Sequence, residues 1–171
     1  MKKIAIIGGG NLGTAIAEGL LKSKFSKASE LTVTRRNTSV NPLKSLGIDI
    51  TSDNNAAVKK SDVVILAVKP FQTIELLKTI KKDLAPGKIL ISVVTGVSLQ
   101  EIEAAVDRNL SLFRAMPNTA ISIQQSMTCL CHQHSKSEDV EYVEQLFSKL
   151  GKVVFIDCKM IILTILRFQI K

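Results

Sequence analysis

The chain has 171 residues, 46% of them hydrophobic and 22% charged, a length and composition that suit one well-buried domain and exclude a disordered tail. No apolar run approaches the ~18 residues of a membrane helix, and the start, Met1-Lys2-Lys3-Ile4-Ala5-Ile6-Ile7-Gly8, reaches glycine before a signal-peptide core could form, so a cytoplasmic protein is expected. The formal charge of +8 comes from lysines scattered singly or in pairs without interleaved aromatics, which argues for a solvated basic surface and against nucleic acid as a partner.

Apolar runs and helical patterns alternate along the chain, as in a parallel sheet wrapped by helices. Residues 3–7 form a β-rich run buried on both sides, and residues 11–22 carry Leu12, Ala15, Ile16, Gly19 and Leu20 along one helical stripe. The first unit is therefore strand, glycine turn, helix. Residues 31–34 read as the second strand. Residues 63–67 and 89–94 read as further core strands, each introduced by a turn signal, Ser61-Asp62 or Pro86-Gly87. Helical patterns cover residues 54–60 and 73–82. Ser98-Leu99-Gln100-Glu101 fits a capping box that opens a helix to residue 106. A sixth strand is expected over residues 110–115. A strand over 126–131, a helix over 137–150 ended by Gly151 and a strand over 152–156 complete the domain.

Cys129, Cys131 and Cys158 are too few and too late to staple a fold of this size, and reduced thiols are expected. Cys129-Leu130-Cys131-His132-Gln133-His134 gathers four zinc-capable side chains, but without the usual ligand spacing. Ile121, Ile123, Met127, Cys129 and Cys131 share one strand parity, which turns both cysteines to the apolar side as small core residues. No metal is expected.

Gly8-Gly9-Gly10-Asn11-Leu12-Gly13 matches G-x-G-x-x-G, and five of the nine glycines fall within the first nineteen residues. Gly8 permits the tight turn, Gly10 lets a pyrophosphate approach bare backbone, and Gly13 lets the helix pack closely on the sheet. Free amides at the helix start then face the phosphates. Because the motif sits between a buried strand and an amphipathic helix, it reads as a dinucleotide fingerprint. At the end of the second strand, about 20 residues on, an NAD site carries Asp or Glu; here the sequence is Thr34-Arg35-Arg36-Asn37-Thr38. Two guanidinium groups and no carboxylate suit a ribose 2′-phosphate, so NADP(H) is expected. The fold class is α/β, a doubly wound, mostly parallel sheet of the Rossmann dinucleotide-binding type spanning residues 1–157.

Three more segments follow strands four, five and six: Asp62-Val63-Val64-Ile65-Leu66-Ala67-Val68-Lys69-Pro70, Ser92-Val93-Val94-Thr95-Gly96-Val97 and Arg114-Ala115-Met116-Pro117-Asn118-Thr119-Ala120. Together with the GGGNLG turn, in this order and spacing, they make the chain from Met1 to Asp157 resemble the pyrroline-5-carboxylate reductases of proline biosynthesis. Beside Gly8, Gly10, Asn11, Leu12, Gly13, Arg35 and Arg36, the resemblance implies cofactor contacts from Asn54, near the adenosine, and from Ala67, Val68, Lys69 and Pro70. Met116, Pro117, Asn118 and Thr119 are implied to line the nicotinamide and substrate side. The implied reaction is hydride transfer from C4 of NADPH to the C=N carbon of 1-pyrroline-5-carboxylate, a cyclic imine carboxylate, giving L-proline. The protein would mainly orient the reactants and exclude water. No catalytic residue is singled out, and nothing marks His132 or His134 as a general acid. In its full-length form the family implies a homo-oligomer.

The family continues into a helical dimerisation domain, which residues 158–171 do not resemble. Met160-Ile161-Ile162-Leu163-Thr164-Ile165-Leu166-Arg167-Phe168-Gln169-Ile170 is nearly all apolar with no amphipathic period. The expectation is a truncated or frame-shifted remnant, leaving this chain as the cofactor-binding part. The alternatives are a deazaflavin-dependent NADP reductase, a β-hydroxyacid dehydrogenase, or a non-catalytic NADP-binding fragment. The dehydrogenase would more often show G-x-G-x-M-G and a lysine in its helical domain.

Overall fold

Strand β1 (Ile4–Ile7) runs into the glycine turn, and helix α1 (Asn11–Lys22) leaves it. The computed structural model describes residues 1–38, 42–107 and 109–159, apart from the Thr119 side chain; residues 160–171, which form most of the apolar tail, lie outside the described residues. After α1 come β2 (Leu31–Thr34), α2 (Pro42–Ser45), β3 (Asp49–Thr51), α3 (Asn54–Lys60) and β4 (Val63–Leu66). They are followed by α4 (Pro70–Ile80), β5 (Ile89–Ser92), α5 (Leu99–Val106), β6 (Ser111–Met116), β7 (Ser126–Gln133), α6 (Ser137–Ser148) and β8 (Gly151–Phe155).

The eight strands form one sheet in the order β3-β2-β1-β4-β5-β6-β7-β8. Every pairing is parallel except β6 with β7, where a 3-10 turn over Thr119–Ile123 reverses the chain. This is the expected doubly wound α/β architecture. The chain order reverses between β1 and β4, and that is where such a sheet opens a crevice at the carboxyl ends of its strands.

Parallel central strands must hide both faces, and two apolar cores do so. On one face, Ile16 and Leu20 of α1 and Val143, Leu146 and Phe147 of α6 pack on Ile4, Ile6, Ile65, Ile91 and Phe113. On the other, Val58 of α3, Leu77 and Ile80 of α4 and Ile102 and Val106 of α5 cover Ala5, Ile7, Val64, Leu66, Leu90 and Leu112.

Several helix ends have identifiable fastenings. The expected capping box is present, with the Glu101 amide donating to Ser98 Oγ at 3.2 Å and the Ser98 amide donating to Glu101 Oε2 at 2.8 Å. The Ser98 amide and the Ser98 hydroxyl, which also donates to Glu101 Oε2 at 2.7 Å, hold the Glu101 carboxyl below its ordinary pKa. Helix α3 is fastened at both ends. Asp53 Oδ1 accepts from the Ala56 amide at 3.0 Å, and Lys88 Nζ donates to the carbonyls of Val58, Lys59 and Ser61 at the other end. An ammonium there suits the negative pole of the helix. Burial pushes the Lys88 pKa down, against the pull of Asp62 and Asp83.

Four expectations need correction. Helix α4 begins at Pro70 rather than residue 73, because proline at N1 is preset for a helix start. Gly151 does not end α6, which stops at Ser148; it is the first residue of β8, packed against the Ser126 backbone. The strand parity is not a simple apolar alternation. Ser126, Thr128 and Leu130 are buried as well as Cys131, while Met127 is exposed, because both faces of the sheet are covered. Lastly, the thiols are not all reduced: Cys131 and Cys158 form a disulfide, while Cys129 is free and burial pushes its pKa up.

Candidate functional site

A cleft of about 780 Å³ lies at the carboxyl ends of the strands where the winding reverses. The glycine turn forms its floor. The Gly8 amide donates to both the carbonyl and Oγ1 of Thr34 at 3.3 Å, and the Gly9 amide to the same carbonyl at 2.7 Å. These bonds tie the turn to the end of β2 and bring Arg35 beside it. Gly8 has φ +113°, and a Cβ there would stand 2.5 Å from the Ala67 carbonyl oxygen, so the turn demands glycine. A Cβ on Gly13 would overlap the Gly8 carbonyl, so α1 lies directly against the turn.

Gly10 differs from both. Apart from its own chain neighbours, no described atom lies within 4 Å of where its Cβ would be, so packing within this chain does not require glycine there; the bare backbone faces the open cleft. Gly10 is the N-cap of α1 and provides no side-chain cap, and the first turn holds no acidic residue. The amides at this helix start are thus available to an anion, with the helix dipole favouring negative charge.

The remaining walls are equally one-sided in charge. Arg35, Arg36 and Lys69 line the cleft, and among its lining residues there is no carboxylate. Asn54 and Ser52 come from the α3 side, and Val68, Phe71, Gln72 and Leu76 from the β4–α4 segment. The structure therefore brings together Gly8, Gly10, Arg35, Arg36, Asn54, Val68 and Lys69 of the expected cofactor set. Asn11, Leu12, Gly13, Ala67 and Pro70 do not line the cleft. Leu12 packs on the core, Ala67 is fixed by its amide N–H donating to the Ile7 carbonyl at 2.9 Å, and Pro70 starts α4. These five support the walls.

Met116, Pro117 and Asn118 stand at the same sheet edge but outside this cleft. Met116 ends β6 and Pro117 and Asn118 follow it, three strands from β1, roughly 14 Å at ordinary strand spacing. Met116 packs against the second core. Asn118 organises the turn, its amide donating to Ser126 Oγ and its Oδ1 accepting from the Ala120 amide, both at 3.2 Å. The Thr119 backbone opens the 3-10 turn.

Gly9 and Asn37, within the glycine and arginine motifs, line the cleft too, as do Ser52, Phe71, Gln72 and Leu76, which lie outside every motif read in the sequence. Phe71 carries no periodic signal, since it is exposed at the start of its helix. Arg114, the first residue of the Arg114–Ala120 segment, is 2% exposed, and its Nε and Nη2 have no hydrogen-bond partner among the described residues. Burial pushes its pKa down, with Glu101 opposing. Of the zinc-capable cluster, Cys131 is taken up in the disulfide, and His134 Nε2 lies 2.8 Å from Glu103.

Residues 3–96 match the family described as NADP oxidoreductase, coenzyme F420-dependent. Over 93% of its length the chain is 38% identical to pyrroline-5-carboxylate reductase 1 of Dictyostelium discoideum, covering 31% of that protein. Its fold matches the crystal structure of Plasmodium falciparum pyrroline carboxylate reductase with NADP bound, at a TM-score of 0.85 and 25% identity, covering 93% of this chain and 59% of that one. It matches a pyrroline-5-carboxylate reductase from Coxiella burnetii at a TM-score of 0.86 and 29% identity, covering 91% and 59%. The chain spans less than two thirds of the length of each of these relatives. Among the described residues, no helix is long and apolar enough to cross a membrane.

Proposed function

Because the chain belongs to the coenzyme F420-dependent NADP oxidoreductase family and its relatives include pyrroline-5-carboxylate reductases, we propose that it is the NADPH-binding part of a reductase converting 1-pyrroline-5-carboxylate to L-proline. The observation that carries this reading is the pairing of an uncapped α1 N-terminus over bare Gly10 with three cations and no carboxylate among the cleft's lining residues. That donor set fits a pyrophosphate at the helix start and a 2′-phosphate at the arginine pair.

In this reading the amides at the start of α1 hold the pyrophosphate, Arg35 and Arg36 grip the ribose 2′-phosphate, and Asn54, Val68 and Lys69 border the adenosine and its ribose. Asn11, Leu12, Gly13, Ala67 and Pro70 fix the walls that these groups need. When bound, NADPH supplies the hydride for the imine carbon. Met116, Pro117, Asn118 and Thr119 mark the nicotinamide side, farther along the sheet edge, where the Ser126 hydroxyl and the Ala120 amide hold Asn118 in place. Orientation and exclusion of water are the protein's share of the rate. Residues 1–157 act as the cofactor domain, with the substrate carboxylate held by residues beyond it. A homo-oligomer in the full-length form and a cytoplasmic location go with this assignment.

Titration of the chain with NADPH and NADH, followed by nicotinamide fluorescence, tests it. Tighter binding of NADPH is expected; equal affinities would remove the arginine pair's role, and no binding of either would overturn the assignment.

A further inference from the structure

Phe71 is 77% exposed, yet it borders the cleft. A single exposed aromatic needs no explanation, but this one is the sole aromatic among the residues lining the cleft, where Ile7, Val68 and Leu76 are the other large apolar side chains. A dinucleotide presents phosphates, hydroxylated sugars and flat apolar bases. The amides of the glycine turn and the guanidinium groups answer the first two. Ile7 is buried, and Phe71, with Leu76 farther along α4, offers an exposed flat apolar face in the same cavity as Arg35, Arg36 and Asn54.

We infer that Phe71 and Leu76 form the seat of the adenine ring, with the Phe71 ring stacked on the base. This rests on the NADP(H) reading above. It gives Phe71 a part in affinity that the glycine motif does not contain. Stacking of a base on an aromatic ring is sequence-tolerant and needs only a reachable flat face, and a side chain free of core packing provides one.

The test uses 2′,5′-ADP, the adenylate half of NADP, with the chain and its Phe71→Ala, Phe71→Tyr and Phe71→Trp variants. Phe71→Ala is expected to weaken 2′,5′-ADP about tenfold, equivalent to about 1.4 kcal/mol, at an unchanged melting temperature, and Phe71→Tyr to restore it. The sequence has no tryptophan, so the Phe71→Trp variant carries one reporter, which adenine stacking should quench. Phe71→Ala binding within about twofold of the unsubstituted chain, or unquenched Phe71→Trp fluorescence at saturation, overturns the adenine seat alone. If the unsubstituted chain binds neither 2′,5′-ADP nor NADPH, the NADP(H) reading falls, and the seat falls with it.

Discussion

The Ala67 carbonyl oxygen lies 2.5 Å from where a Cβ on Gly8 would stand, and Gly8 itself has φ +113°. Both facts oppose any side chain at position 8. Gly10, with no described atom beyond its chain neighbours within 4 Å of its Cβ position, has no such conflict. Gly8→Ala should therefore destabilise the fold by about 2 kcal/mol or more, lowering the melting temperature by about 4–8 °C for a domain of this size. Gly10→Ala should melt like the unsubstituted chain but lose NADPH affinity. Thermal melts beside NADPH titrations separate the two, and a stability loss at Gly10 equal to that at Gly8 would contradict the distinction.

Arg35 and Arg36 are exposed at the cleft, with no carboxylate beside them among its lining residues. Replacing either with Ala should weaken NADPH about tenfold, as expected for losing a charge-assisted phosphate contact worth about 1.5 kcal/mol. NADH, which lacks the phosphate, should be nearly unaffected. Equal losses for both nucleotides in parallel titrations would show that the arginines act on something common to the two.

Tyr142 is the chain's one tyrosine. It packs on Phe25 with ring centroids 5.5 Å apart and has Lys2 Nζ 5.3 Å from its ring. Burial, reinforced by Asp62 and Glu30, pushes its pKa up to about 12. The unfolded chain releases this proton near pH 10, so the folded state holds it more tightly. The linked stabilisation is fully present below pH 10 and is lost as pH rises toward about 12. Absorbance at 295 nm should stay low in the native protein up to about pH 11, whereas in urea it should rise near pH 10; coincident titrations would exclude the packed ring.

The Cys131–Cys158 pairing leaves Cys129 as the free thiol. A thiol assay on the denatured, unreduced chain should find one reactive group, and after reduction three, matching the three cysteines of the sequence. In the native protein Cys129 should react slowly, because burial pushes its pKa up and lowers its thiolate fraction. Three reactive groups before reduction would rule out the disulfide.

How much could be read in advance depended on whether the cause was local. Helices α1 and α3 and strand β2 match their expected bounds, because a glycine turn, an Asp cap and a short β-rich run each act within a few residues. The three-residue edge strand β3 carries no apolar alternation, and Asp49 at its start is exposed. Its pairing with β2 is set by tertiary contact. The β7 pattern misled because alternation assumes one wet face, and this strand has core on both sides. Cys131 and Cys158 are 27 residues apart, and their meeting depends on how β8 lies beside β7. In the cleft, the glycines and arginines were legible as motifs. Phe71, Gln72 and Leu76 were not, because they belong to the site only once the fold brings α4 to the same cleft as the glycine turn.

Helix α3 has seven residues, too few to persist alone in water, yet it presents Asn54 to the cleft from one end while Lys88 clasps the other. The lysine precedes β5, at the amino edge of the sheet; the asparagine is at the carboxyl edge. Folding, rather than ligand arrival, therefore settles the entropy of this wall. Loosening the lysine would surface as a less favourable binding entropy at unchanged ligand contacts, felt across the full width of the sheet.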